Sequence, residues 1–148
     1  MARARGPVEE VIRRRVAEHP DAPWLLWKDT RYTWREVLAN ANRAANGLLE
    51  LGVRPGERVA ILMGNRPEFL WTHLGILFIG AHSVPVNISQ RGATLQHILA
   101  DSEAVAAILQ DDLREALLAI RDGCPELRRM VVVDGRTGNG IDWDFDRL

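Results

Sequence analysis

The amino-acid sequence predicts an α/β fold: a partial, doubly wound, mostly parallel β-sheet with helices on both of its faces. Three observations carry that prediction. The run Val59-Ala60-Ile61-Leu62-Met63 is wholly apolar, too continuous for a half-exposed strand and suited to one buried on both faces. Residues 58–87 read as strand, helix and strand with a stop or start signal at every joint, which by default closes as a right-handed βαβ crossover. Strand and helix patterns go on alternating to residue 133, the pattern of a parallel sheet.

Taken in order, residues 8–19 place Val8, Val11, Ile12 and Val16 at helical spacing, with Arg13, Arg14 and Arg15 on the remaining, solvated face, and the helix ends before Pro20. Asp21-Ala22-Pro23 is a turn. Residues 24–27 and a second short strand starting at Tyr32 form a hairpin across Lys28-Asp29-Thr30-Arg31. Thr33-Trp34-Arg35-Glu36 fits a capping box, which starts a helix there. Val37, Ala41, Ala44, Ala45, Leu48 and Leu49 give that helix an apolar stripe, and its small residues allow a close approach to a neighbour. Gly52 followed by Val53 predicts a Schellman ending, and Arg54-Pro55-Gly56-Glu57 a type II turn that feeds the central strand.

After that strand, Gly64-Asn65-Arg66-Pro67 turns the chain, with Asn65 or Arg66 beside a helix start and Pro67 in the first turn, where its missing N–H costs nothing. Glu68 suits the positive end of the helix dipole. Phe69, Leu70, Leu74, Leu77 and Phe78 recur at helical spacing, and Gly80 ends the helix. Ser83-Val84-Pro85-Val86 is the next strand. A loop leads to a short helix over residues 93–100, a strand over 105–109, a helix capped by Asp111 or Asp112 and running to about Arg121, and a strand over 129–133. Gly135, Gly138, Asn139 and Gly140 predict a flexible segment, and Trp143-Asp144-Phe145 either a new element or a frayed end.

Composition narrows the function classes. One domain is the natural count for 148 residues, enough to bury roughly 70% of the unfolded surface. The formal net charge is −1, from 19 basic and 20 acidic residues, so no global field attracts a nucleic acid or an anionic membrane. Cys124 is the only cysteine, which excludes a disulfide framework and a Cys-based metal site and suits a reducing compartment. The basic start lacks a following apolar stretch, so a secretory signal is not expected and a cytoplasmic location is. Residues 69–90 carry no formal charge, yet His73, Gly80, His82, Pro85 and Asn87 interrupt them, which favours a buried βαβ unit over a membrane span.

A parallel sheet of this kind binds ligands beyond the carboxyl ends of its strands. That edge carries Gly64-Asn65-Arg66, then residues 87–91, then residues 110–114. Arg66, Arg91 and Arg114 thus fall near helix N-termini, where an anion could use side chain and backbone together; capping and solubility are the more ordinary reading. Neither Gly-x-Gly-x-x-Gly nor Gly-x4-Gly-Lys-Ser/Thr occurs, and Lys28 is the only lysine. His19, His73, His82 and His97 show no metal-ligand spacing, and no nucleophile elbow is present. His73 reads as a core or rim residue. Glu9-Glu10 and Asp111-Asp112 are adjacent pairs that diverge on a helix, so they read as first-turn carboxylates rather than acid and base.

Four blocks together carry a resemblance. Tyr32-Thr33-Trp34-Arg35-Glu36-Val37, then Gly52-Val53-Arg54-Pro55-Gly56-Glu57-Arg58-Val59-Ala60-Ile61, then Asn65-Arg66-Pro67-Glu68-Phe69, then Gly80-Ala81 through Pro85-Val86-Asn87 resemble, in order and spacing, the opening of the adenylate-forming (AMP-binding) enzymes. The likeness covers about residues 8–133 and leaves 134–148 as a flexible tail or a truncation edge. Pro85-Val86-Asn87 resembles the acyl-CoA synthetase branch of fatty-acid metabolism rather than peptide-synthetase adenylation domains.

The resemblance implies the first part of a large N-terminal domain. It also implies a reaction in which a carboxylic acid and ATP, with Mg²⁺, give an acyl-adenylate that coenzyme A then converts to a thioester. The family's phosphate loop with its lysine, its adenine and ribose motifs and its mobile C-terminal lysine all come after the matched region. The chain is therefore expected to be an N-terminal fragment, inactive alone and binding none of ATP, Mg²⁺ or coenzyme A tightly, with exposed apolar faces. No catalytic residue carries over. Asn87, in the loop after the strand ending in Val86, and Arg114, on the helix after Leu109, are implied to lie near coenzyme A. The alternative expectation is a self-sufficient α/β binding or regulatory module that pairs with a full-length synthetase.

Overall fold

The computed structural model describes residues 6–134 and 143–145. The elements are α1 (Pro7–Glu18), a hairpin of β1 (Pro23–Trp27) and β2 (Thr30–Thr33), α2 (Trp34–Glu50), β3 (Arg58–Leu62), α3 (Pro67–Phe78), β4 (His82–Pro85), α4 (Gly92–Asp101), β5 (Ala104–Gln110), α5 (Arg114–Leu118), β6 (Arg129–Val133) and β7 (Trp143–Asp144). Short 3₁₀ turns flank α5 at Asp111–Leu113 and Arg121–Gly123. The five long-range strands form one sheet in the order β4-β3-β5-β6-β7, every pair parallel, while β1 and β2 pair antiparallel on their own.

Side chains alternate across the sheet and so build two cores. Val59, Ile61, Ala106, Ile108, Val131 and Val133 face α1, α2, α3 and the hairpin. Ala60, Leu62, Ala107, Leu109, Met130 and Val132 face α4 and α5. The pairing skips Val105 opposite the Arg58–Val59 step, a β-bulge that puts Val105 and Ala106 on the same face.

Local chemistry sets the joints as the residues dictate. Thr33 Oγ1 accepts from the Glu36 N–H at 3.3 Å, and the Glu36 carboxylate accepts from the Thr33 N–H at 2.8 Å and from the Thr33 hydroxyl at 2.9 Å; the two bonds to the carboxylate hold the Glu36 carboxyl below its ordinary range. Gly52 adopts φ 86° while the Val53 N–H donates to Leu48 O at 3.0 Å, which is the Schellman closure. Gly56 at φ 82° with Glu57 N donating to Arg54 O at 3.1 Å makes the type II turn. Gly80, at φ 75°, ends α3 with the Ala81 N–H on Ile76 O.

Several faces differ from the periodicity. Val8 and Val11 are 42% and 47% exposed, whereas Glu9 is buried at 3%. Arg13 makes this possible: it pairs with Glu9 at 2.8 Å and also donates to Asn42 on α2. A carboxylate four residues before an arginine is thus turned inward as an ion pair. Leu49 faces solvent and the stripe runs instead to Leu51. Trp71, Leu74, Ile76 and Phe78, rather than Phe69 and Leu70, are the large apolar side chains that α3 buries. Neither Asp111 nor Asp112 caps a helix: Gln110 stands at that N-cap without a side-chain bond, and Asp111 binds Arg114. That break shortens α5. Trp143 and Asp144 form an edge strand on β6, and the glycine-rich segment of 135, 138 and 140 lies outside the described residues.

The tightest crossing joins α2 to α3. A Cβ at Gly75 would lie 2.8 Å from both Ala44 Cβ and Ala45 N, so only glycine on α3 lets the alanine face of α2 approach. Helix propensity alone predicts that Gly75→Ala stabilises by about 1 kcal/mol; the clash is worth about 1–3 kcal/mol in the other direction. Urea unfolding is expected to show a net loss of stability for Gly75→Ala, and a gain would show that the two helices can separate freely.

Candidate binding edge at the strand ends

Counted from β3, the strand order is 2-1-3-4-5, a doubly wound order whose switch point lies between β3 and β5. The chain leaves β3 for α3 on one face and leaves β5 for α5 on the other. The ends of β3, β4 and β5 therefore open a crevice between diverging connections. On the β4 side of this edge, beyond the ends of β3 and β4, Gly64, Asn65, Val86, Asn87 and Ile88 line a cleft of about 370 Å³.

Gln110 fastens this crevice. Its side-chain Oε1 accepts from the Gly64 N–H at 2.8 Å, tying the end of β5 to the loop after β3. The contact joins residues 46 apart in sequence, and no local pattern announces it, so sequence reasoning missed it. The only available signal was a polar residue closing an otherwise apolar strand.

The arginines at this edge already have partners. Arg66 is the N-cap residue of α3 and pairs with Glu68 and with Asp134, each at 2.7 Å. The Glu68 hydrogen bond chiefly, and Asp134, raise its pKa above the ordinary arginine range, so it stays cationic. Asp134 sits at φ 61° just past β6, which brings its carboxylate back across the strand ends. Arg91 precedes α4 and donates to the carbonyls of Ile88 and Gln90. Arg114 opens α5 and holds Asp111, with its Nη2 at 2.6 Å. Asn87 is exposed, and its Oδ1 accepts from the Ser89 N–H at 2.8 Å, shaping the loop after β4. Asn87 and Arg114 thus share one edge on either side of β3, each held by a local partner.

A second hollow, of about 290 Å³, lies between the hairpin and the start of α3, lined by Leu25, Trp27, Pro67, Phe69 and Leu70. Trp27 Nε1 donates to Asn65 O at 3.3 Å, and Lys28 Nζ stands 4.3 Å from the Trp27 ring centre. The single lysine is therefore a hairpin residue.

His73 and Cys124 have partly or fully buried surroundings. His73 stacks on Phe69 and sits 3.0 Å, Nδ1 to Oγ, from Ser83; burial lowers its pKa from 6.5. Cys124 is buried, which raises its thiol pKa. No group of three or more His, Cys, Asp or Glu side chains is placed to hold a metal among the described residues, and no helix among them is long and apolar enough to cross a membrane. What this edge offers chemically is binding and positioning.

The comparisons with known proteins agree with that geometry. Residues 12–144 match the sequence model of the AMP-binding enzyme family, and the chain belongs to that family. Among its relatives, feruloyl-CoA synthase from Amycolatopsis sp. is 37% identical over 110 residues, 74% of this chain and 22% of the synthase. Pyochelin synthetase PchE from Pseudomonas aeruginosa is 39% identical over 103 residues, 70% of this chain and 7% of PchE. The anthranilate CoA ligase AuaEII, solved with anthranoyl-AMP, superposes with a TM-score of 0.85 at 26% identity, over 95% of this chain and 27% of the ligase. The curated relatives are much longer: the chain spans between 1% and 24% of their length.

Two outcomes check this description. Gln110→Ala removes the acceptor for the Gly64 N–H and is expected to cost about 1 kcal/mol. It should also speed amide exchange at Gly64, and unchanged exchange there would dismiss the fastening. For His73, a lowered folded-state pKa means that the unfolded chain binds the proton more tightly. Stability contributed by His73 is therefore intact above about pH 6.5 and declines as pH falls below it. Urea midpoints followed through that range should drop less in His73→Gln than in the parent chain.

Proposed function

We propose that this chain forms the opening of the N-terminal domain of an ATP-dependent acyl-CoA synthetase working in the cytoplasm, and that it is inactive alone. In that reaction a carboxylate oxygen of the acid attacks the α-phosphorus of ATP, pyrophosphate leaves, and a thiol sulfur then attacks the acyl carbon of the adenylate and displaces AMP. The observation that carries this reading is the superposition on a CoA ligase at a TM-score of 0.85 over nearly the whole chain and 27% of the ligase. Pro85-Val86-Asn87, at the end of β4, supports the synthetase branch, and a single buried cysteine suits a reducing compartment.

The described residues offer neither a metal-ligating cluster nor a glycine-rich phosphate loop with a lysine. ATP and Mg²⁺ would therefore be held elsewhere in the complete enzyme, and this stretch would act as scaffold. Its own contribution would be the strand-end edge, where the Asn87 loop and Arg114 would lie beside coenzyme A, the guanidinium suiting an anionic group.

A second reading has its own support. Both faces of the sheet are covered, and among the described residues the large apolar side chains that remain exposed, Val8, Val11, Leu26, Leu49 and Ile88, are few. That suits a self-contained module that pairs with a full-length synthetase. Cooperative unfolding of the isolated monomer would support this reading, and a molten or aggregating product would remove it.

The assay is pyrophosphate release and acyl-adenylate formation, with ATP and a panel of carboxylic acids. The isolated chain is expected to form no adenylate, and adenylate formation would contradict the proposal. In the complete synthetase, Arg114→Ala should raise KM for coenzyme A about tenfold, the loss of one charge-assisted hydrogen bond, and leave adenylation unchanged. An unchanged KM would withdraw Arg114 from the site.

A further inference from the structure

The cleft beyond β3 and β4 has an uncharged lining. Gly64 and Asn65 after β3, and Val86, Asn87 and Ile88 after β4, border it, and among the described residues none that lines it is ionisable. The nearby arginines do not line it: Arg66 holds Glu68 and Asp134, and Arg91 holds the carbonyls of Ile88 and Gln90. A charged group seated here would give up water with no opposite charge in the lining to replace it.

Hydrogen bonding falls to two carboxamides. Asn87 Oδ1 accepts from the Ser89 N–H at 2.8 Å, which fixes the amide and leaves its Nδ2 donors without a partner among the described residues. Asn65 is held through its backbone, where the carbonyl accepts from Trp27 Nε1 at 3.3 Å, and its exposed side chain has no partner among them either. The cleft thus offers free donors from both walls and a free acceptor from Asn65, beside the apolar surface of Val86 and Ile88. Gly64 is a second observation. Its φ lies outside the left-handed range, and a Cβ there would meet only Gln110 Oε1 at 3.6 Å and Ile88 Cδ1 at 3.9 Å, both ordinary contacts. Neither backbone nor packing therefore demands glycine; what the bare backbone provides is close approach for a guest.

We infer that this cleft binds a neutral, amide-bearing aliphatic chain, laid against the Gly64 backbone, with its carbonyl accepting from Asn87 Nδ2 and its N–H donating to Asn65 Oδ1. The inference deepens the synthetase reading and rests on it only for the natural guest, the uncharged arm of coenzyme A. It divides the edge: anionic groups belong with Arg114, and the neutral arm lies here.

The test is titration of the 148-residue chain with pantetheine, an uncharged chain with secondary amides, followed by backbone amide resonances; AMP and 1-hexanol are the anionic and the amide-free comparisons. Pantetheine is expected to give saturable shifts at residues 63–65 and 86–88, with a Kd on the order of 1 mM for so open a cleft and the same affinity at low and high salt. Asn87→Asp keeps the acceptor for the Ser89 N–H and removes the free donor, and should weaken binding about tenfold. Gly64→Ala, which the unoccupied chain accommodates, should weaken it as well. Tighter binding of AMP, or pantetheine binding that fades with salt, would overturn the neutral assignment. Hexanol binding as tightly as pantetheine, or an unchanged affinity in Asn87→Asp, would overturn the part given to the carboxamides, and shifts that never saturate would overturn the site itself. Thioester formation by the complete enzyme, with no pantetheine binding by the chain, would overturn this inference alone. Saturable pantetheine binding, with no adenylate formed by the complete enzyme, would support the site and overturn the synthetase reading.

Discussion

Everything in this structure answers to the burial of β3 on both faces. Its side chains from Val59 to Leu62 are at most 2% exposed, and they alternate between two separate cores. A strand in that position removes roughly 1.5–3 kcal/mol of hydrophobic free energy per large aliphatic side chain from solvent, but only if both faces are covered. The hairpin, α1, α2 and α3 supply one cover, α4 and α5 the other. The close α2–α3 crossing at Gly75 and Ala44 follows from the same demand, because α2 reaches the core beneath only if it can lie close against α3.

The same constraint creates the candidate binding edge. Covering both faces sends the connection after β3 to one face and those after β4 and β5 to the other, and where the β3 and β5 connections part a crevice is left open. Gln110 bridges it to the Gly64 loop, and the Arg66–Asp134 pair reaches across from the end of β6. These polar contacts are non-local and hold the loops in register with one another, whereas the apolar strands behind them set the overall geometry. Arginines that looked available in sequence turn out to organise their own loops, as Arg91 does with the Ile88 and Gln90 carbonyls.

What could be read from sequence is what short-range physics decides. The Thr33–Glu36 box, the Gly52 ending, the Arg54–Glu57 turn and the continuous apolar strands each depend on neighbours within a few residues, and each is where the sequence placed it. Faces that depend on partners far along the chain were misjudged. Glu9 is buried because Arg13 receives it, itself held by Asn42 on α2, and apolar Val8 and Val11 face outward beside it. The need for glycine at Gly75 comes from a helix some thirty residues earlier, and the Gln110 contact from a loop on another strand. The resemblance carried by the four blocks reached the family, which residues 12–144 match, because those blocks are the same local signals in a fixed order.

On the proposed reading the chain would be scaffold of a larger enzyme, with a strand-end edge that would bind and residues elsewhere that would catalyse. The most direct test is to read the native coding frame past the codon for Leu148. The account predicts that the frame continues, within a few tens of residues, into a Ser/Thr/Gly-rich loop containing a lysine. A stop codon directly after Leu148 would contradict it and would make this a short protein with a partner to be found.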